Sequence, residues 1–191
     1  YGKFNWFITS SVDDLLVPHG KKDYYNGTIL IKGIIMNNSF LSETSDDNKE
    51  IVFKKIKEIL GERFSTSSSV RENHGKDESY HEGFKPDAVA FLNSTQEVSE
   101  VVKICNKNSI PVIPFGAGTS LEGHVAAIKG GVCIDLSNLN KIIKVNVEDL
   151  DCRVMAGVTR DQLNIFLRDQ GLFFPIDPGA NATLGGMVAT R

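Results

Sequence analysis

An α+β domain is the fold class predicted by this 191-residue sequence, and three observations predict it. Strand-like and helix-like segments follow the order β, α, β, loop, β, β, β, α, which fits an α+β domain better than a doubly wound sheet. Two capping-box spacings, Ser94 with Glu97 and Thr159 with Gln162, mark helix starts. Short apolar runs such as AVAFL and GVCIDL are bounded by turn residues, as buried strands are.

Residues 1–44 carry neither a sustained 3.6-residue nor a two-residue period and are punctuated by Pro18, Gly20, Asn26, Gly27, Asn37 and Asn38. They read as a poorly determined N-terminal extension. Residues 45–83 read as a helix and its lead-in. SDDNKEIVFKKIKEILG places acids in its first turn, Val52, Ile56, Ile59 and Leu60 on one stripe, lysines later and Gly61 as a stop. The polar text from Ser65 to Gly83 predicts a linker or an extended lead-in.

Residues 84–191 carry the domain proper. Ala88 to Leu92 predicts a buried strand, and the helix opened by Ser94 turns Val98, Val101, Val102 and Cys105 inward. IPVIPF predicts the next strand, ending in a glycine loop at Gly116, and Gly131 to Leu136 another. Lys141 to Ala156 holds two β-type stretches around Glu148 to Asp151. The helix opened by Thr159 faces Leu163, Phe166 and Leu167 inward and closes at Gly171.

A net charge of −3 and a pI near 5.8 supply no broad cationic field, and the basic residues are scattered among acids, so nucleic acid is not an expected partner. Cys105, Cys133 and Cys152 form no CxxC pair and suggest neither a disulfide framework nor a zinc site. The longest apolar run, Thr28 to Met36, is interrupted by Lys32 and Gly33 and is about half the ~20 residues a spanning helix needs, so no transmembrane segment is expected. The first arginine is Arg63, and Asp13, Asp14 and Asp23 spoil a presequence pattern, so no targeting signal is readable. The chain opens at Tyr1 and stops at Arg191 directly after GGMVAT, and the expectation is the front part of a longer protein, incomplete at its C-terminal end.

The chemistry is concentrated in PFGAGTSLEGH, Pro114 to His124, where three glycines and two hydroxyl residues follow an apolar strand. Glycines let successive N–H groups converge on an anion, and Thr119 and Ser120 add hydroxyl donors. The Rossmann fingerprint fails because Leu121 stands where its third glycine is needed. A Walker A loop is mimicked by Gly118 and Gly123, but His124 and Val125 replace its lysine and hydroxyl. A second glycine-rich stretch, DPGANATLGGMVATR, lies about sixty residues on, with Gly185 and Gly186 permitting close approach and Thr183 and Thr190 offering hydroxyls. Either stretch alone leaves a plain turn open as the alternative, and the two together suggest a dinucleotide ligand.

The blocks SVRENHGKDES, PDAVAFLNSTQEVSEVV, IPVIPFGAGTSLEGH, GGVCIDLSNLNKI, GVTRDQLNIFLRDQGLFFPIDPGA and GGMVATR resemble the vanillyl-alcohol oxidase, or PCMH-type, FAD-binding oxidoreductases over Ser68 to Arg191. Within that family the nearest resemblance is to the mitochondrial D-lactate dehydrogenase (cytochrome) group. It implies a PCMH-type FAD-binding domain: an N-terminal α/β subdomain and the start of a second.

The resemblance implies three FAD-contacting segments: Pro114, Phe115, Gly116, Ala117, Gly118, Thr119 and Ser120; then Asp177, Pro178, Gly179, Ala180, Asn181, Ala182 and Thr183; then Thr190 and Arg191. Members with a histidyl-linked flavin place that histidine where Thr119 stands, which implies noncovalent FAD. It implies oxidation of a D-2-hydroxy acid such as D-lactate, with electrons passed to cytochrome c, and a mitochondrial location. The family's substrate arginine and metal-binding histidines lie beyond Arg191, so no catalytic or metal-binding residue is named in this chain. Two other readings stay open: an alkylglycerone-phosphate synthase-like transferase, whose motifs TSLEG and GGMVATR also resemble, and a catalytically incomplete flavin-binding module.

His124 reads first as a structural histidine that orients its loop. His74 and His81, beside Asp77, Glu78 and Glu82, read as solvated lead-in rather than a metal site. Cys105 and Cys133 read as small buried hydrophobes.

Overall fold

The computed structural model describes residues 46–190. The N-terminal extension, the Thr28 to Met36 run and Arg191 lie outside the described residues. Among the described residues no helix is long and apolar enough to cross a membrane.

Helix α1 (Asp46–Leu60) buries Val52, Ile56 and Leu60, a strict i, i+4, i+8 stripe. Ile59, expected on that stripe, is 40% exposed. It sits about 100° round the helix from Leu60, so the narrow contact with the sheet takes one and leaves the other out. A 3-10 turn (Gly61–Arg63) leads into the short strand β1 (Phe64–Ser65).

Part of the expected linker is helical, α2 (Ser68–Asn73), and His74 at its C-terminal end lies against Phe91 and Phe115. Strands β2 (Ala88–Phe91), β3 (Val112–Phe115) and β4 (Val132–Asp135) complete a sheet of order β1-β2-β4-β3. The β1–β2 pair is antiparallel and the other two pairs are parallel. Helix α3 (Thr95–Lys107) connects β2 to β3 across the intervening β4.

Alternation along the strands divides the sheet into two faces. Ala88, Ala90, Val132 and Ile134 pack with α1 and with Val101 and Cys105 of α3 into the first core. Phe91, Asp135 and Phe115 form one cross-strand row on the other face, at the C-terminal ends of the parallel strands.

Helix α3 starts where expected. Ser94 Oγ accepts the Glu97 N–H at 3.2 Å. The Glu97 carboxylate takes the Asn93 N–H at 2.8 Å and both terminal nitrogens of Arg63 at 2.7 and 2.8 Å, a bidentate clasp of α3 to the end of α1. That clasp is the first cause of a Glu97 carboxyl held below its ordinary range. Ser94→Ala is expected to cost about 1 kcal/mol, seen as a lower denaturant midpoint at unchanged slope.

A second, smaller core follows. The antiparallel hairpin of β5 (Ile142–Asn146) and β6 (Asp151–Val154) packs with α4 (Arg160–Arg168) and α5 (Leu184–Thr190) around Cys152, Val154, Val158, Leu163, Leu167, Phe174 and Leu184. Phe166, expected inward, is 49% exposed, because Leu163 and Leu167 alone fill the α4 contact. The segment read as a glycine-rich turn at Thr183 to Thr190 is largely helix α5. Its two glycines suppress the propensity signal, at roughly 1 kcal/mol each relative to alanine, and tertiary packing overrides it.

Candidate functional site

Strand β3 is an edge strand that turns the carbonyls of Pro111 and Phe115 toward β4, where they accept the Val132 and Leu136 N–H groups at 2.8 and 3.0 Å. Side alternation then turns the Gly116 amide away from the sheet. From there the loop runs through Ala117, Gly118, Thr119 and Ser120 beyond the C-terminal ends of the parallel strands, the edge where open α/β sheets place ligands. Among the described residues the N–H groups of 116–120 donate to no acceptor. A run of unbonded amides on a half-buried loop is what an anion cradle requires. Gly118 takes a φ of +67°, the left-handed region that reverses the chain direction within the cradle.

The loop is pinned from outside. Ser120 O accepts the Glu78 N–H at 3.1 Å, and Ser120 Oγ lies 2.6 Å from His124 Nδ1, so His124 does orient its loop. Asp77, at the foot of that lead-in, is buried.

The second segment reaches the first through one contact. A Cβ on Gly116 would stand 2.4 Å from Thr183 Oγ1, so the absence of a side chain there lets the segments touch. Thr183 is buried, its Oγ1 accepts the Gly186 N–H at 3.2 Å, and it bridges Thr159 in antiparallel fashion. Asp177 Oδ1 accepts the Gly179 N–H at 2.9 Å in a tight turn, and Asn181 Oδ1 accepts the Asp161 N–H at 3.1 Å. The approach expected of Gly185 toward a ligand is an approach to Ala156: an added Cβ would stand 2.8 Å from that residue's Cβ and carbonyl. Thr190 spends its hydroxyl on the Gly186 carbonyl at 2.9 Å. The structure thus brings together 114–120 and Thr183, leaves Asp177 to Ala180 as an exposed to half-exposed approach, and describes nothing of Arg191.

His74 overturns its sequence reading. It is 9% exposed, not solvated, and lies over the Phe91, Asp135, Phe115 row. Nothing local announced this, because its partner is 61 residues away. Nδ1 lies 2.8 Å from the Val70 carbonyl and Nε2 2.8 Å from Asp135 Oδ2. A carbonyl and an ionised carboxylate only accept, so a ring that keeps both bonds donates from both nitrogens, as an imidazolium does. Burial works against that charge, but the Asp135 hydrogen bond, the Val70 carbonyl and the Asp135 charge outweigh it and hold His74 above the ordinary imidazole value. Burial would likewise raise Asp135, but its bonds to His74 and Ser137 hold it below the ordinary carboxylate value.

Both shifts make the stability of the fold depend on pH. The raised His74 stabilises the fold fully below the ordinary value of 6.5 and loses that contribution as pH climbs through its higher folded-state value. The depressed Asp135 contributes above 3.8 and loses it as pH falls through its lower folded-state value. The thermal midpoint is expected to fall on the alkaline side of this window, and His74→Phe to flatten that limb; an unchanged limb in the variant would refute the pairing.

An open hollow lined by Lys49, Phe53, Arg71 and Asp87 lies at the other end of the strands, where Asp87 Oδ2 accepts the Gly131 N–H at 2.8 Å, and is separate from the cradle.

Comparison with known proteins gives the family. Residues 86–191 match the model of a family described as the FAD binding domain. The chain is 49% identical over 142 residues to the probable mitochondrial D-lactate dehydrogenase of Danio rerio, covering 74% of this chain and 29% of that protein. It is 44% identical over 145 residues to the mitochondrial D-lactate dehydrogenase [cytochrome] of Arabidopsis thaliana, covering 75% and 25%. A solved structure of alkyldihydroxyacetonephosphate synthase superimposes with a TM-score of 0.67 at 23% identity, covering 74% of this chain and 31% of that one, a likeness of fold alone.

Proposed function

This chain belongs to the family of FAD-binding domains, and on that premise we propose that it supplies the pyrophosphate site of noncovalently bound FAD in a D-2-hydroxy acid oxidoreductase of the D-lactate dehydrogenase type. The observation that carries the reading is the run of unbonded amides at 116–120 beyond the sheet, backed by Thr183 through the gap at Gly116. Pro114 to Ser120 hold the diphosphate through backbone dipoles, which is how an acidic chain binds a dianion. Asp177 to Thr183 and the Thr190–Arg191 segment line the remainder of the cofactor.

Bound there, the flavin would supply the redox chemistry, the two-electron oxidation of the substrate. The residues of this chain bind and orient: β3 aims the loop, Thr183 fixes its separation from α5, and Ser120 with His124 closes its far side. Thr119, in the place of a histidyl link, leaves the loop without a flavin attachment residue. None of these residues holds or moves a substrate proton. The chain spans 29% and 25% of the two D-lactate dehydrogenases it resembles, and the acceptor cytochrome c, the mitochondrial location and D-lactate itself belong to the whole protein as proposed here. The transferase reading has the TSLEG and GGMVATR resemblance and a likeness of fold in its favour, whereas identities of 49% and 44% over three quarters of this chain favour the dehydrogenase.

Titrating the purified chain with FAD and following flavin fluorescence and visible absorbance tests the reading. The expected result is one FAD per chain, all of it released into the supernatant when the protein is denatured. No binding overturns the cofactor assignment, and flavin that stays with the denatured protein overturns the noncovalent one. In a chain of the relatives' length, D-lactate is expected to bleach the flavin, and failure to do so favours the transferase.

A further inference from the structure

The cofactor site described above leaves one buried polar cluster without a role. His74 rests on the last cross-strand row of the parallel sheet, with its ring centroid 4.5 Å from that of Phe115 and 5.4 Å, edge-on, from that of Phe91. The third member of the row, Asp135, binds His74 Nε2 through Oδ2 and the Ser137 N–H through Oδ1, each at 2.8 Å. The other ring nitrogen is held by Val70 at 2.8 Å, so neither rotation nor a ring flip is free.

Phe115 passes this restraint on. A Cβ on Gly118 would stand 2.9 Å from Phe115 Cζ, so the tip of the ring lies directly under the left-handed residue of the cradle. Contact therefore runs unbroken from Asp135 through His74 and Phe115 to Gly118, one of the residues whose amide is left unbonded. Cys133 shares this sheet face two residues before Asp135, but burial, then the Asp135 charge, push its thiol up to about 12, so it adds no competing charge. An apolar side chain would fill the same space without desolvating two charges. What the ion pair adds is a single fixed ring orientation.

We propose that His74, clamped between Val70 and Asp135, is a positioning residue for the FAD pyrophosphate loop, setting the Gly118 amide through the ring of Phe115. The proposal rests on the FAD reading of that loop and extends the site to a residue that does not touch the cofactor.

The test is a double-mutant cycle in the full chain, read as FAD dissociation constants by flavin fluorescence, with far-UV circular dichroism confirming that each variant is folded. His74→Phe keeps a ring and removes both hydrogen bonds; Phe115→Leu removes the ring that relays them. Each single variant is expected to weaken FAD binding by about tenfold or more, and the double variant by about as much as one of them rather than by the product. A general loss of stability would not produce that non-additivity among folded proteins. Asp135→Asn keeps the imidazole in place, is expected to weaken binding in the same direction, and carries the test should His74→Phe fail to fold. Folded His74 or Asp135 variants with wild-type FAD affinity overturn the proposal and leave the cofactor reading standing, as does a strictly additive cycle. Wild-type chain that binds no FAD overturns both.

Discussion

Gly116→Val is expected to weaken FAD binding by about a hundredfold. The added branch would occupy the point where a Cβ already falls 2.4 Å from Thr183 Oγ1 and 3.4 Å from its Cγ2. Thr183 has little freedom to yield: it is 4% exposed, its oxygen caps the Gly186 amide, and its backbone bridges Thr159. The loop must therefore move away from the second segment, and one diphosphate can no longer be reached from both. Isothermal titration with FAD measures the loss, and pairing Gly116→Ala with Thr183→Ala should recover part of it by clearing the collision. Wild-type affinity in Gly116→Val would mean that the contact between the segments is irrelevant to the cofactor.

Gly157→Ala is expected to be strongly destabilising, at about 3 kcal/mol and a fall of about 10 °C in thermal midpoint. Its Cβ would stand 2.2 Å from the Leu136 carbonyl oxygen, 2.9 Å from that of Ser137 and 3.0 Å from that of Leu139, all backbone atoms with no rotamer to escape through. Gly157 also donates its N–H to Leu139 O at 2.8 Å, so relief would break that bond as well. Differential scanning calorimetry decides it, and a fall of only a degree or two would show that the 136–139 turn is softer than its contacts imply.

What the sequence made legible was local. The starts of α3 and α4 were readable because Ser94 and Thr159 each accept the N–H three residues on, an interaction contained within four residues. The strands were readable because AVAFL and GVCIDL bury both faces of a sheet covered on both sides. The inward faces of α1 and α4 were read one residue too wide in the same way: Ile59 and Phe166, at i+3 from a buried residue, are exposed, while Leu60 and Leu167, at i+4, are buried. Which of the two goes inside depends on the crossing partner, and periodicity holds no information about it. Helix α2 escaped notice because six residues are too few to show a period, and the burial of His74 because its partner Asp135 lies on a strand 61 residues further on.

The candidate site divides along the same line. The phosphate site proposed at Pro114 to Ser120 was suggested by residue types, since glycines and hydroxyls after a strand carry their own chemistry. The role of Gly116 as a meeting point and of Gly185 as a packing contact on Ala156 depends on what arrives from elsewhere in the chain, and residue type alone assigned both to the ligand.

The position of β3 at the margin of its sheet has a consequence for self-association. Its even-numbered residues, Val112 and Pro114, direct their main-chain groups outward, and Pro114 has no hydrogen to offer. A neighbouring copy attempting to extend the sheet by docking a strand here would find a gap in the ladder one residue before Phe115. The strand that presents the loop is thereby protected from being sequestered by aggregation.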